Sequence, residues 1–145
     1  MPTQPFPRNR FTNFNDFMYH LWSFSDHGNL LAPHRFADAL QMDLVSLAGY
    51  TGIPLEMLIH YPASLSVQTY MRSALRVIAV LIENDMEVDC AIFHYLNFPW
   101  VQFGFRTAEQ IVIDGDVEKF VKYLLTEVFY PPGKSPEKEY ITESN

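Results

Sequence analysis

The sequence predicts an all-α protein, a helical bundle whose N-terminal half contains a helix-turn-helix-like arrangement. Two observations support this prediction. Apolar residues recur every three or four positions along most of the chain, which is the spacing of one face of an amphipathic helix. Residues that suit helix starts and helix ends stand between these runs. A chain of 145 residues with 48% hydrophobic residues can bury one core, so we expect one domain or two tightly packed halves.

The composition limits the classes of function. A net charge of −7 disfavours nonspecific binding to nucleic acids, because attraction to phosphates needs clustered Lys and Arg. The single cysteine, Cys90, excludes an internal disulfide. The start of the chain lacks a signal pattern, and no apolar run looks long enough to span a bilayer. We therefore expect a cytoplasmic protein that contacts no membrane.

The first helix is expected to follow a flexible arm of residues 1–12, because three prolines in the first seven residues disfavour a helix there. Asn13 is a suitable N-cap, and the apolar residues after it fall on one helical face. This helix is expected to end between Ser25 and Asn29. Pro33 then suits the first turn of a second helix, and Asp43 can cap a third.

A helix-turn-helix is predicted within residues 13–84. Its spacing places a small Ala48 where two helices cross closely and Gly52 in a tight turn that demands a positive φ. Ile53 and Leu58 would anchor the second helix of the motif to the core.

The second helix of this motif, residues 54–61, carries none of the Arg, Lys, Asn or Gln side chains that read bases or contact phosphates. Operator binding is therefore expected to depend on neighbouring polar residues and on a dimer that joins two half-sites. The candidate DNA-binding residues are Arg35, His60, Gln68, Thr69, Arg72 and Arg76. For Arg72 and Arg76 the alternative is an ordinary solvated face, paired with acids such as Glu83.

The longest helix is expected from Ser66 to Asn84, with apolar residues spaced by threes and fours. We interpret it as the central packing helix. A homodimer seam along the same residues is the alternative.

A second helical region is expected at residues 85–130, before a flexible tail at 131–145. Thr107 and Gln110 form a capping-box pattern, Gly115 ends the short helix that follows, and another amphipathic helix begins at Val117. The loop before Thr107 is unusually aromatic, with Phe98, Trp100, Phe103 and Phe105. Something must cover these rings, and Trp100 is the best candidate for an exposed anchor.

This region resembles the toxin-binding domain of the Xre/MbcA/ParS antitoxin family, over about the last third of the chain. The matching positions are Tyr95, Leu96, Asn97, Pro99, Gly104, Thr107, Gln110, Gly115 and Asp116. The sequence departs from the family pattern at Ala108, where the family favours Pro, and at Gln110, where it favours an acid. Both residues are compatible with a helix start.

The resemblance implies a C-terminal toxin-binding half and a RES-domain toxin as partner, one that consumes NAD or modifies proteins with ADP-ribose. It also implies an antitoxin that needs no cofactor and that uses its helix-turn-helix half to dimerise and repress its own operon. The candidate toxin-binding residues are Asn97, Phe98, Trp100, Phe103, Phe105 and Arg106. The tail from Lys134 to Asn145 is a second candidate contact. The alternatives are a helix-turn-helix regulator without a toxin, and a diverged interaction module that no longer binds DNA.

Catalytic and metal sites receive little support. Cys90 and His94 lie four residues apart on a predicted helix, but two ligands do not make a zinc site, and Cys90 is expected to be a small buried residue. Asp114 and Asp116 are expected to cap helix ends. The sequence carries no Gly-rich phosphate loop and no Ser-His-Asp pattern, so we expect neither an enzyme nor a metal site.

Overall fold

The computed structural model of the protein describes residues 10–22 and 30–130. Across these residues the protein is an all-α helical bundle, as predicted. The described helices are α1 (Phe14–Leu21), α2 (Pro33–Ala39), α3 (Leu44–Thr51), α4 (Leu55–His60), α5 (Leu65–Glu83), α6 (Val88–Asn97), α7 (Ala108–Ile113) and α8 (Val117–Tyr123). A 3-10 turn at Val101–Phe103 precedes α7, and a π-helical turn at Leu124–Val128 extends α8.

Helix α5 is the centre of the bundle. Ten of its side chains are buried, and it packs against α2, α3, α6, α7 and α8. The residues that would have formed a dimer seam therefore lie in the core of the chain itself, which confirms the prediction of a central packing helix. Buried side chains from Phe11 to Leu124 form one continuous cluster, so the two predicted halves share one core.

The apolar character of α5 has a second aspect. Among the described residues, α5 is long and apolar enough to cross a membrane by length and composition alone, which we did not expect from the sequence. More than half of its apolar stretch is buried inside the bundle, and the core helix of a bundle passes the same test. The helix therefore gives only weak support for a membrane contact.

The predicted helix caps at Asn13 and Asp43 are confirmed. The Asn13 side chain accepts a hydrogen bond from the Asp16 amide at 2.8 Å, and Asp43 accepts one from the Ser46 amide at 2.8 Å. Pro33 is the first residue of α2.

The predicted end of α1 is wrong. The helix stops at Leu21, because Trp22 adopts an extended conformation and pairs with Leu31 in an antiparallel bridge. The Ala32 amide then donates to the Leu21 carbonyl at 2.9 Å, which ties the chain entering α2 to the end of α1. The predicted boundary at 25–29 lies outside the described residues.

The last part of the predicted arm is packed, contrary to expectation. The Arg10 amide donates to Asp89 at 2.8 Å, and the Arg10 guanidinium pairs with Asp38 at 2.7 Å. This pairing lowers the pKa of Asp38 below its ordinary value. Phe11 is buried edge-to-face against Phe17. Residues 1–9 of the arm and the tail at 131–145 lie outside the described residues.

The turn between α3 and α4 has the local geometry that we predicted at Gly52, Ala48 and Leu58, and the helix-turn-helix itself stays a prediction. Gly52 has a φ of 70°, the left-handed conformation that glycine adopts at little cost. Ala48 and Leu58 are buried, and the Ile53 amide donates to the Ala48 carbonyl at 3.1 Å. Leu58 is the only buried side chain of α4, so most of this helix faces outward.

Candidate protein-binding surface

The start of α7 is fixed by the predicted capping box. The Thr107 hydroxyl accepts a hydrogen bond from the Gln110 amide at 3.2 Å, and the Gln110 side chain accepts one from the Thr107 amide at 3.0 Å. The prediction for this pair is confirmed. The capped helix provides a rigid base for the aromatic loop that precedes it.

The loop is a closed turn from Trp100 to Arg106, which we call the aromatic turn. The Trp100 amide donates to the Arg106 carbonyl at 2.9 Å, and the Phe105 amide donates to the Trp100 carbonyl at 2.8 Å. These bonds bring the two ends of the turn together in an antiparallel bridge. Gly104 and Phe105 then reverse the chain with φ angles of 70° and 63°.

Arg106 holds the aromatic turn closed. Its Nε donates to the Phe103 carbonyl at 2.9 Å, and its Nη1 donates to Asp114 at 2.7 Å and to Asp116 at 3.1 Å. The hydrogen bond that Arg106 donates to Asp114 is the main reason that the pKa of Arg106 is raised. Asp114 is the C-cap residue of α7 and Asp116 is the N-cap residue of α8, the helix ends where we expected them, and the side chains of both pair with this arginine. Arg106, which we predicted to contact the toxin, therefore stabilises the aromatic turn through hydrogen bonds within the chain.

Trp100 is not the exposed anchor that the sequence suggested. The bridge to Arg106 directs its ring inward, where only 9% of the residue is exposed. The ring packs edge-to-face against Phe98 at 4.9 Å and Phe120 at 5.2 Å between centroids. Phe103 is half-buried and packs in the same manner on Phe120 and Tyr123. These two rings belong to the core beneath the surface.

The exposed apolar side chains of this region are Phe98, Val101 and Phe105. Phe105 is 66% exposed. Its backbone also lies in the left-handed region, a conformation that a bulky residue rarely adopts. Strained backbone of this kind is often found at binding sites, where the surrounding structure enforces it.

A groove of about 380 Å³ runs along α6, and the exposed Phe98 forms part of its wall. Its walls are Met86, Cys90, Phe93, His94, Asn97, Phe98 and Pro99. The imidazole of His94 stacks on Phe98 with 4.4 Å between ring centroids, and burial lowers the pKa of His94. Asn97, a predicted contact residue, is exposed, and its side-chain amide donates to the Phe93 carbonyl at 2.9 Å. The groove and the three exposed side chains form the candidate protein-binding surface.

Sequence reasoning missed the groove and the exposure of Val101. The signal was the apolar residues Cys90 and Phe93 on a second face of α6, with Met86 just before the helix. Its core stripe comprises Val88, Ala91, Ile92 and Tyr95, whereas the groove follows positions 86, 90, 93, 94 and 97 at the same helical spacing.

Cys90 is exposed, so the expectation that it is buried was wrong. Position 90 falls on the groove side of α6, one residue before the core position Ala91. Within residues 10–22 and 30–130, no three His, Cys, Asp or Glu side chains come close enough together to hold a metal ion.

The structure does not bring the predicted DNA-binding residues together as one free polar surface. Gln68 is buried, and its side chain is satisfied by the backbone. Its Oε1 accepts a hydrogen bond from the Leu31 amide at 3.1 Å, and its Nε2 donates to the carbonyls of Leu31 at 2.9 Å and Pro62 at 2.8 Å. Its assignment to DNA was therefore wrong. Arg35 is half-buried and donates to the His20 carbonyl at 3.2 Å.

The other candidates lie on exposed positions. His60, Thr69, Arg72 and Arg76 are exposed. Arg76 pairs with Glu118 of α8 at 2.5 Å, so its partner is a different acid from the Glu83 that we expected. Arg76 is one of the two arginines of α5 among the candidate DNA-binding residues, and this ion pair engages it within the chain.

Comparison with known proteins gives no identification. No family model matches the chain, and no curated protein and no solved structure matches it.

Proposed function

We propose that this protein is a non-catalytic antitoxin that binds and neutralises a RES-domain toxin through the candidate protein-binding surface. The observation that carries the proposal is the aromatic turn, which holds Phe105 exposed on a strained backbone and follows directly after Phe98 and Pro99 in the wall of an apolar groove. Exposed aromatic side chains on a rigid support are typical hot spots of protein interfaces. Such a surface on a monomer indicates a protein partner.

The class of partner rests on the resemblance to the Xre/MbcA/ParS toxin-binding domain. The residues that carry this resemblance, from Tyr95 to Asp116, include the aromatic turn and the end of the groove. The positions that define the motif also have clear structural roles here. Gly104 adopts a positive φ, and Thr107 and Gln110 form the capping box. By this reading the antitoxin covers the entrance of the toxin's active site and needs no cofactor.

Operator binding, the alternative function, draws less support from the described residues. Gln68 is buried, Arg76 is paired with Glu118, and α4 presents mainly apolar side chains. A regulator without a toxin would leave the exposed aromatic turn without a role.

The test is neutralisation and binding of a RES-domain toxin encoded by a neighbouring reading frame. Phe105→Ala is expected to weaken binding by about 2 kcal/mol, because truncated hot-spot side chains cost this much or more. Val101→Glu should weaken binding as well, because it places a charge in an apolar contact. The measurements are titration calorimetry and growth rescue in a co-expression assay.

Val45→Glu is the matched control, since Val45 and Val101 are both 65% exposed and Val45 lies on α3. The control should bind like the wild type. Equal neutralisation by wild type, Phe105→Ala and Val101→Glu would exclude this surface as the binding site. A wild-type protein that does not bind the toxin would contradict the antitoxin function itself.

A further inference from the structure

The N-terminal arm joins the bundle beside the groove on α6. The backbone amides of Arg10 and Phe11 both donate to one carboxylate oxygen of Asp89, at 2.8 Å and 3.4 Å. Asp89 is buried, so water competes little for these bonds. It lies on α6 directly before the groove residue Cys90 and one turn before Phe93, on the same face of the helix as Phe93. The chain therefore enters the bundle next to the wall of the groove.

The sequence just before this anchor has the composition of a groove ligand. Phe6 stands between two prolines, four residues before Arg10. Proline favours the extended polyproline II backbone, and segments of this kind bind in grooves lined by aromatic side chains. The groove on α6 has such a lining, formed by Phe93 and by the stacked rings of His94 and Phe98.

The lengths of the two segments match. Extended backbone of this type rises about 3.1 Å per residue, so Phe6 can lie up to about 12 Å from Arg10. A helix rises about 1.5 Å per residue, so the wall of the groove from Cys90 to Asn97 is about 10 Å long. Phe6 can therefore reach any part of this wall while the Arg10 amide stays bonded to Asp89.

The charges of the two segments are complementary. The arm carries Arg8 and Arg10 and no acidic residue. Helix α6 contains no Lys or Arg, and Asp85 and Glu87 are exposed in the turn that leads into it. Arg8 therefore comes close to two acidic side chains when the arm follows the groove, and salt weakens this attraction by screening it.

We propose that Phe6 binds in the groove on α6 and covers it until a partner protein displaces the arm. The occupant is a segment of the same chain, because the Asp89 anchor brings the arm to the edge of the groove. A short tether gives such a segment an effective concentration on the order of millimolar, so a weak apolar contact is enough to occupy the groove.

This inference rests on the proposed function, since the groove is part of the candidate protein-binding surface. A toxin that binds there has to compete with the arm. The apparent affinity for the toxin is then reduced by the fraction of chains whose groove is open. The arm thus acts as an internal competitor that sets how readily the protein engages its partner.

The first test is NMR spectroscopy of the full chain without a toxin. Nuclear Overhauser effects are expected between the ring protons of Phe6 and the side chains of Met86 or Phe93. Phe6→Ala should shift the amide resonances of the groove residues. Gln4→Ala is the matched control in the same arm and should leave them in place. A Phe6 ring without such contacts, or a Phe6→Ala spectrum in which the groove resonances are unchanged, would overturn the proposal.

A charge reversal tests the electrostatic part of the contact. Arg8→Glu is expected to move the groove resonances part of the way toward their positions in Phe6→Ala, because it sets an acid beside Asp85 and Glu87. Arg8→Lys keeps the charge and should resemble the wild type. Groove resonances that do not respond to Arg8→Glu would contradict the charge complementarity.

The second test is calorimetric titration of the toxin. Phe6→Ala should lower the dissociation constant about three- to ten-fold, because it frees the groove, whereas Gln4→Ala should match the wild type. Equal or weaker binding by Phe6→Ala would overturn the competition. A chain that shows the Phe6 contacts but binds no toxin would contradict the proposed function alone, since those contacts are measured without a toxin.

Discussion

Trp100 is enclosed by aromatic rings from α6, from the residue that follows α6, and from α8. Its nearest rings belong to His94, Phe98, Phe120 and Tyr123. We expect Trp100→Ala to lower the free energy of unfolding by about 3 to 5 kcal/mol, because it leaves a cavity that these rings cannot fill. Urea unfolding followed by circular dichroism measures this loss. Trp100→Phe should retain part of the stability, and a loss below about 1 kcal/mol for the alanine variant would place the ring outside the core.

Single residues of the candidate site were only partly predictable. The aromatic density of residues 98–105 indicated that some rings would be exposed, and Phe98 and Phe105 are. Which rings point outward depends on the bridge between Trp100 and Arg106. That bridge is held by ion pairs to Asp114 and Asp116, which lie eight and ten residues away from the arginine. Local spacing carries no information about such a contact, so Trp100 was assigned to the wrong side.

At the scale of elements, the aromatic turn combines an exposed ring with a strained backbone at Phe105. Replacing Phe105 with Gly should raise the free energy of unfolding by about 1 kcal/mol, because a left-handed backbone costs roughly this much for a residue with a Cβ. The same variant should bind the toxin more weakly, since it removes the exposed ring. Chemical denaturation and calorimetry measure the two effects.

Gly104→Ala is the control for this prediction. A Cβ at Gly104 would meet no other atom within 4 Å, so the substitution adds only backbone strain at a φ of 70°. It should destabilise the protein by about 1 kcal/mol and leave Phe105 in place. A Phe105→Gly variant that is less stable than the wild type would show that the ring contributes more to folding than the strain costs.

Element starts were more predictable than element ends and packing. At Asn13, Asp43 and Thr107 the side chain of the cap residue accepts a hydrogen bond from the backbone amide three residues later, a local contact that a sequence pattern can show. Gln68 is the opposite case. It lies on a helix beside polar neighbours, yet its side chain bonds the backbone of Leu31, 37 residues earlier. No local pattern distinguishes such a buried glutamine from one on a solvated face.

Across the whole molecule, the carboxyl of Glu109 on α7 interacts electrostatically with tyrosines of three other helices. Burial raises the pKa of this half-buried carboxyl. Its negative charge in turn helps to raise the pKa of Tyr50, Tyr70 and Tyr95, for which burial is the main cause. These tyrosines come from α3, α5 and α6. The all-α class followed from helical periodicity, whereas this meeting of four helices at one carboxyl depends on tertiary packing.

Glu109 predicts a pH dependence of stability. Because the pKa of Glu109 is higher in the folded protein than in the unfolded chain, folding favours the protonated form. This contribution is fully present below the unfolded pKa of about 4.3 and is lost as pH rises through the folded pKa. Glu109→Gln should therefore be more stable than the wild type at pH 7, by about 1 kcal/mol or less, and similar to it near pH 4.

Glu118→Gln provides the opposite control. The hydrogen bond from Arg76 lowers the pKa of Glu118, so this carboxylate contributes stability above its unfolded pKa and loses it as pH falls. The control should be slightly less stable than the wild type at pH 7. Unfolding curves at both pH values measure the differences, and a Glu109→Gln variant that is destabilised at pH 7 would contradict the prediction.

The exposure of Cys90 has a practical consequence. The sequence contains one cysteine, and its side chain lies in the wall of the groove on α6. A maleimide fluorophore would therefore attach at a single defined point beside the proposed contact, without any engineered residue. The emission of such a probe would report occupancy of the groove directly, and slower alkylation of the thiol in the presence of a toxin would map the footprint of the complex. Labelling Cys90 of the wild-type chain therefore gives a direct fluorescence assay for the partner that the protein is proposed to bind.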